Sequence, residues 1–126
     1  MIDISRADKI PGFMEYDELQ WLAETASTHM SILEIGSWKG RSTRAMADNM
    51  PQEAEITVID PFTNGYLDAI DLRDTFEENL RDHLESGRIS IIQMTSAQAG
   101  ELLRHLHQAF DMIFIDGEHF YDYAAG

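Results

Sequence analysis

The 126-residue chain has single-domain length, since domains run to roughly 150 residues, and its composition (44% hydrophobic, 25% charged, 10% aromatic) excludes disordered, collagenous and low-complexity classes. The absence of cysteine excludes a disulfide scaffold and any thiolate metal site. Nine basic against 23 acidic residues give a formal net charge of −14, which argues against a nucleic-acid partner.

No run approaches the ~18 apolar residues of a membrane span. The first twenty residues carry Asp3, Arg6, Asp8, Lys9, Glu15, Asp17 and Glu18 and lack the apolar stretch of a secretory signal. A cytoplasmic protein without a membrane partner is therefore expected. Leu19, Leu22, Ala23 and Ala26 recur at helical spacing and predict an amphipathic helix over 16–28, within an N-terminal helical segment spanning 1–30. The short apolar run 31–36 enters a glycine and suits a buried strand with one carboxylate, Glu34, near its end. A helix over 41–49 follows, with Ala45, Met46 and Asn49 along one side, and Pro51 ends it.

Residues 55–60 form the second expected strand, stopped by Pro61, and 62–72 a loop containing the Asn64-Gly65 turn. Phe76, Leu80 and Leu84 lie four apart and predict one helix over 73–85, capped by Gly87. Residues 89–93 form the third strand. Leu102, Leu103, Leu106 and Phe110 mark a further helix, and 111–116 the fourth strand. Strands alternating with helices require crossovers, so the sheet is expected to be parallel, doubly wound and Rossmann-like. Ligands in such sheets bind at the C-terminal ends of strands. Glu34 to Gly36, Asp60, Thr95, Ser96 and Asp116 all fall there.

The segment Gly36-Ser37-Trp38-Lys39-Gly40 joins the first strand to its helix. Glycines allow a tight turn and close approach to a ligand, and the helix start offers free amides. A dinucleotide fingerprint would place glycines at 36, 38 and 41; Trp38 and Arg41 occupy two of those positions, which disfavours nicotinamide and flavin dinucleotides. A Walker A loop is absent as well. The pattern Glu34-x-Gly36-x-x-x-Gly40-x-Ser42 instead resembles motif I of class I S-adenosylmethionine-dependent methyltransferases. The stretch Ile-Leu-Glu-Ile-Gly-Ser-Trp-Lys-Gly-Arg-Ser-Thr is especially similar to the catechol O-methyltransferase-like, small-molecule group. Asp60 stands where that family holds the ribose hydroxyls, Thr95-Ser96-Ala97 where it contacts adenine, and Phe114-Ile-Asp-Gly-Glu-His119 resembles its Ile-Asp-Gly-Asp-His sequence.

The resemblance implies methyl transfer from S-adenosyl-L-methionine (SAM) to a small-molecule acceptor, with oxygen as the acceptor atom. It implies cofactor contacts from Glu34, Gly36, Ser37, Trp38, Gly40, Ser42, Asp60, Pro61, Phe62, Thr95, Ser96, Ala97 and Asp116. Glu34 would serve the cofactor's ammonium directly or by holding the loop. Trp38 would lie beside the methionine portion, Ser42 would cap the helix or bond the cofactor carboxylate, and Phe62 would lie against an adenine face. Asp116, Glu118 and His119 are the catalytic candidates, with His119 or Glu118 as base and Asp116 as one ligand of a magnesium ion. A purely structural role stands beside each: Glu34 satisfying loop amides, Asp60 forming a turn, Trp38 packing, Ser96 capping the following helix. His29, His83, His105 and His107 receive no role.

The resemblance also implies the strand order: the full class I sheet has seven strands in the order 3-2-1-4-5-7-6, of which this sequence supplies the first four, 3-2-1-4, and lacks strands 5-7. The expectation is a truncated domain, with the apolar fourth strand as a bare edge covered by a second copy of the chain. The alternative is a catalytically incomplete SAM-binding module that works with a partner chain.

Overall fold

The computed structural model of the protein describes residues 1–62 and 69–115. In chain order these form α1 (Ser5–Asp8), α2 (Tyr16–Ala26), β1 (Ser31–Ile35), α3 (Arg41–Ala47), β2 (Glu55–Ile59), α4 (Ala69–Asn79), α5 (Arg81–Glu85), β3 (Ile89–Ile92), α6 (Ser96–Leu106) with a 3₁₀ turn at His107–Ala109, and β4 (Met112–Ile115). The strands make one sheet in the order β3-β2-β1-β4. Every pair is parallel: β1 meets β2 from Ser31↔Glu55 to Ile35↔Ile59, β4 from Ile32↔Met112 to Ile35↔Ile115, and β2 meets β3 from Ile56↔Ile89 to Ile59↔Ile92. This is the Rossmann-like sheet expected from the alternation of elements.

Alternation along each strand divides the core between two faces. Ile32, Ile56, Val58 and Ile89 join Leu22 and Ala26 of α2, Met46 of α3, and Phe76 and Leu80 of α4 and its end. Leu33, Ile35 and Ile59 point the other way and pack with Ala99, Leu102 and Leu103 of α6. Among the described residues, α6 is the only helix in that second cluster. Ile113 and Ile115 of β4 share its side of the sheet and stay 37% and 42% exposed, while Met112 and Phe114 pack into the first cluster.

Local chemistry explains most boundaries. The Glu15 amide donates to the Glu18 carboxylate at 2.9 Å, which closes the first turn of α2, and the helix ends at Ala26, two residues short of the expectation. Gly87 caps α5 as expected: it takes a left-handed φ of 82°, its amide reaches Leu84 O, and the Arg88 amide reaches His83 O. That pair of bonds is a Schellman motif.

Three expectations need correction. The single helix over 73–85 is two, broken at Leu80 (φ −118°, ψ 16°). The Asn79 carbonyl accepts from Arg44 Nη1 at 2.9 Å and Asn79 Nδ2 donates to Lys39 O, so tertiary partners replace the helical ladder there. The helix marked by Leu102 to Phe110 starts earlier and stops at Leu106. Phe110 is extended (φ −123°, ψ 141°), because the 3₁₀ turn hands the chain to Asp111, whose carboxylate accepts from the Met30 and Ser31 amides at 2.8 and 3.0 Å. Finally, the loop expected over 62–72 ends early, because α4 already begins at Ala69. The Asn64-Gly65 turn lies outside the described residues. Among the described residues, no helix is long and apolar enough to cross a membrane.

Candidate functional site

The chain steps outward from β1 to β2 and β3, then crosses back through α6 to place β4 on the other side of β1, so the winding reverses between β1 and β4. The loop after β1 therefore stands at the switch point, where open α/β sheets leave a crevice. Gly36 (φ 88°), Trp38 (φ 51°) and Gly40 (φ 99°) all take left-handed backbone in it. The Gly36 amide extends the ladder to Ile59 O, and the Gly40 amide closes a turn onto Ser37 O, both at 2.9 Å. Glycine is required at position 40 for a second reason: a β-carbon there would stand 2.4 Å from Leu80 Cδ2 and 3.2 Å from Phe76 Cδ2. Its openness serves contact with α4 and Leu80.

Two carboxylates assemble this loop. Asp60, just past β2 and 6% exposed, accepts on Oδ2 from the amides of Ser37 (2.6 Å) and Trp38 (3.0 Å), with Ser37 Oγ at 3.4 Å. Its Oδ1 accepts from the Phe62 amide at 2.6 Å. One side chain thus fixes the ends of β1 and β2 to each other and forms the turn over Pro61. The amide bonds to Asp60 also hold Trp38 in a backbone region that costs a non-glycine residue of order 1 kcal/mol. Glu34, fully buried on β1, takes hydrogens from the hydroxyls of Ser42 and Thr43 in the first turn of α3. Ser42 therefore bonds a protein carboxylate, and Glu34 anchors the helix that follows the loop.

The aromatic candidates turn toward protein. Trp38, half-buried, stacks on Phe13 (centroids 5.5 Å, planes 24° apart), with Lys39 Nζ 4.6 Å from its ring centroid. The ring of Phe62 is fully buried, 5.4 Å from Phe76 and 5.8 Å from the Arg73 guanidinium, so it faces the core and no adenine face can reach it in this conformation. Pro61 is half-buried, and its carbonyl accepts from Gln93 Nε2 at 3.2 Å.

At the end of β3, Thr95 and Ala97 are exposed. The Thr95 amide donates to Gln98 Oε1 (2.9 Å) and the Gln98 amide to Thr95 Oγ1 (3.2 Å), a reciprocal capping box. Thr95 is thus the cap of α6, and Ser96 is its first residue. Asp116, Glu118 and His119, the residues expected to supply a magnesium ligand and a catalytic base, lie outside the described residues. Among the described residues, no group of three or more His, Asp or Glu side chains is gathered as for a metal ion.

Two arginines that carried no site role in the sequence turn out to position the loop's surroundings. Arg41 donates to the carbonyls of Met14, Ala7, Asp8 and Ile10 and to the Asp8 carboxylate, gathering the N-terminal segment onto α3. Arg44, buried, grips Asp82 with both terminal nitrogens at 2.7 Å and Asp48 through Nε at 3.1 Å. His83 Nε2 stands 2.8 Å from Asp48 Oδ1, and Arg88 Nη1 lies 3.4 Å from His83 Nδ1. The hydrogen bond from Arg44 pulls the Asp82 carboxyl well below the ordinary carboxylate range. The only sequence signal for this cluster was the i,i+4 spacing of Arg44 and Asp48.

Comparison with known proteins then bears on the chemistry. A family model described as a methyltransferase domain matches residues 33–125. Among solved structures, the fold is similar to a provisionally assigned O-methyltransferase from Klebsiella pneumoniae (26% identity, TM-score 0.63), over 91% of this chain and 50% of that one. It is also similar to an O-methyltransferase from Bacillus cereus in complex with SAH (19% identity, TM-score 0.65; 94% and 53%). An SAH-bound methyltransferase from Podospora anserina matches at 23% identity with TM-score 0.63 (89% and 46%). The chain spans about half the length of these structures. No curated protein matches the sequence.

Proposed function

Because this chain belongs to the methyltransferase-domain family, we propose that it binds SAM across the C-terminal ends of β1, β2 and β3 and takes part in methyl transfer to an oxygen of a small molecule. The observation that carries this reading is the environment of Asp60. Its carboxylate sits at the switch point, and Oδ2 is committed to the loop amides. Oδ1 accepts one bond among the described residues, from Phe62. A carboxylate oxygen has two acceptor sites, so Oδ1 keeps one for a ribose hydroxyl.

The proposed roles follow from these positions. Asp60 receives the ribose, and the loop from Gly36 to Gly40, stiffened by Asp60 and Glu34, receives the methionine portion. The backbone at Thr95 to Ala97 borders the adenine, while Phe62 acts through its turn. The cofactor, when bound, supplies a methyl group already activated on sulfur. The chain's remaining tasks are to align an acceptor oxygen with it and to take the acceptor's proton, the work assigned to His119 or Glu118. Asp116 is the proposed contact for a magnesium ion holding that oxygen.

Isothermal titration with SAH and with NAD tests the cofactor class: heat with SAH and none with NAD is expected, and the reverse overturns the reading. Transfer of a labelled methyl group to a panel of catechols, hydroxylated sugars and amines then tests the acceptor. Loss of transfer on chelation, with recovery on adding magnesium, is the expected signature of the metal at Asp116.

A second reading has its own support. β4 has no further strand beside it among the described residues, and Ile113 and Ile115 are exposed on it. A cofactor-binding module that completes its sheet with another chain would look this way. SAH binding without transfer to any acceptor separates it from the first reading.

A further inference from the structure

The opposite edge of the sheet carries a different kind of surface. β3 pairs with β2 alone among the described residues. The Arg88 and Ile92 carbonyls accept from the Ile56 and Asp60 amides, so the alternation of a strand turns the amide and carbonyl of Ile89 and Ile91 away from the sheet. Beside that edge runs an open groove of about 380 Å³ lined by Arg73, Glu77, Arg81, Leu84, Glu85 and Ile91.

Its charged residues recur every four positions with alternating sign, from Arg73 on α4 to Glu85 on α5. Over a straight helix this spacing would drift around the axis; all four residues nevertheless line the same groove, on two helices broken at Leu80. Arg73 Nε pairs with Glu77 at 3.0 Å, whereas Arg81 and Glu85 are exposed and have no ion-pair partner among the described residues.

A stripe reading plus, minus, plus, minus is its own complement when reversed. Laid antiparallel on a second copy, Arg73 meets Glu85 and Glu77 meets Arg81, twice each about a two-fold axis, as an isologous contact requires. The patch has no net charge on a chain whose formal net charge is −14. It is thus a place where two copies approach without the like-charge repulsion that the chain as a whole imposes.

We propose that the protein forms a two-fold dimer through this edge, with the β3 strands of two copies antiparallel and the Arg73–Glu77–Arg81–Glu85 stripes crossing in opposite directions. The pairing joins two four-stranded sheets into one of eight and covers the outward amides of Ile89 and Ile91. It leaves β4 free.

The test uses the full chain and sedimentation velocity across micromolar to high-micromolar concentrations. The doubly basic-shifted variant E77R/E85R and its counterpart R73E/R81E carry stripes of one sign. Each alone should dissociate, its apparent dimer Kd rising about tenfold or more, and an equimolar mixture should restore the dimer. Far-UV circular dichroism confirms folding of each. Because Arg73 also lies over Phe62, Ile91→Pro supplies an independent variant: it removes one outward amide, which an edge strand tolerates, and it should also dissociate the dimer. A monomeric wild-type chain at all concentrations overturns the proposal. So does a dimer that survives the one-sign variants, or one lost only on placing charge at Ile113 and Ile115, which would put the contact at β4.

Discussion

Asp60 shows how one carboxylate can be both scaffold and candidate ligand. Three backbone amides from two loops converge on it, and each leaves a buried donor unpaired if the carboxylate is removed. Asp60→Ala should therefore lower stability by about 2–3 kcal/mol in urea unfolding, together with loss of SAH binding. Glu34 is wholly interior, with Ser42 and Thr43 donating to it. Glu34→Ala strands those hydroxyls and opens a cavity, and about 3 kcal/mol of stability should go with it. At Gly40 the conflict is steric: alanine adds a carbon 2.4 Å from Leu80 in left-handed backbone. Gly40→Ala should cost about 2 kcal/mol or more, read as a lowered Tm with far-UV signal retained below the transition.

At the scale of elements, the joint between α3 and α5 is electrostatic. Arg44 holds Asp82 bidentately and also takes the Asn79 carbonyl, which explains why a hydrophobic repeat through Phe76, Leu80 and Leu84 does not give one continuous helix. The Asp82 carboxyl is lowered chiefly by its hydrogen bond from Arg44, against desolvation that raises it. A carboxyl lowered in the folded state binds fewer protons there than in the unfolded chain, so its contribution is present above the ordinary carboxyl value of 3.8 and is lost as pH falls below it. Urea midpoints measured from neutral pH downward should fall on the acid side for the natural chain, and Asp82→Asn should flatten that limb while lowering the neutral plateau. Asp82 is half-exposed, so solvent screening keeps this effect modest.

For the whole molecule, the unequal covering of the two sheet faces is the dominant feature. Among the described residues, helices α2 to α5 pack one side, α6 serves the other, and Ile113 and Ile115 stay exposed. Exposed apolar residues on an edge strand promote association without adding to the core. Ile113→Lys with Ile115→Lys should leave the unfolding midpoint nearly unchanged, within about 0.5 kcal/mol, and reduce light scattering on heating.

The strand order came with the family resemblance, whereas the parallel sheet and the placement of Glu34, Asp60 and Thr95 at or just past strand ends were legible in the residues themselves. They follow from local properties: apolar runs of strand length, helical spacing between them, and glycine or a carboxylate where each strand stops. Motif I and Asp60 were legible for the same reason, as their residues lie within a few positions of a strand end. What Asp60, Glu34, Trp38 and Phe62 touch was decided only in three dimensions. A carboxylate takes whichever donors the packed chain brings within reach, and those donors lie as far away as Ser37, 23 residues from Asp60. The break at Leu80 belongs to the same class, since its cause, Arg44, stands on another helix. Short-range patterns fix which elements form; the choice of partner for a buried polar group depends on contacts between segments distant in sequence, and periodicity carries no record of those.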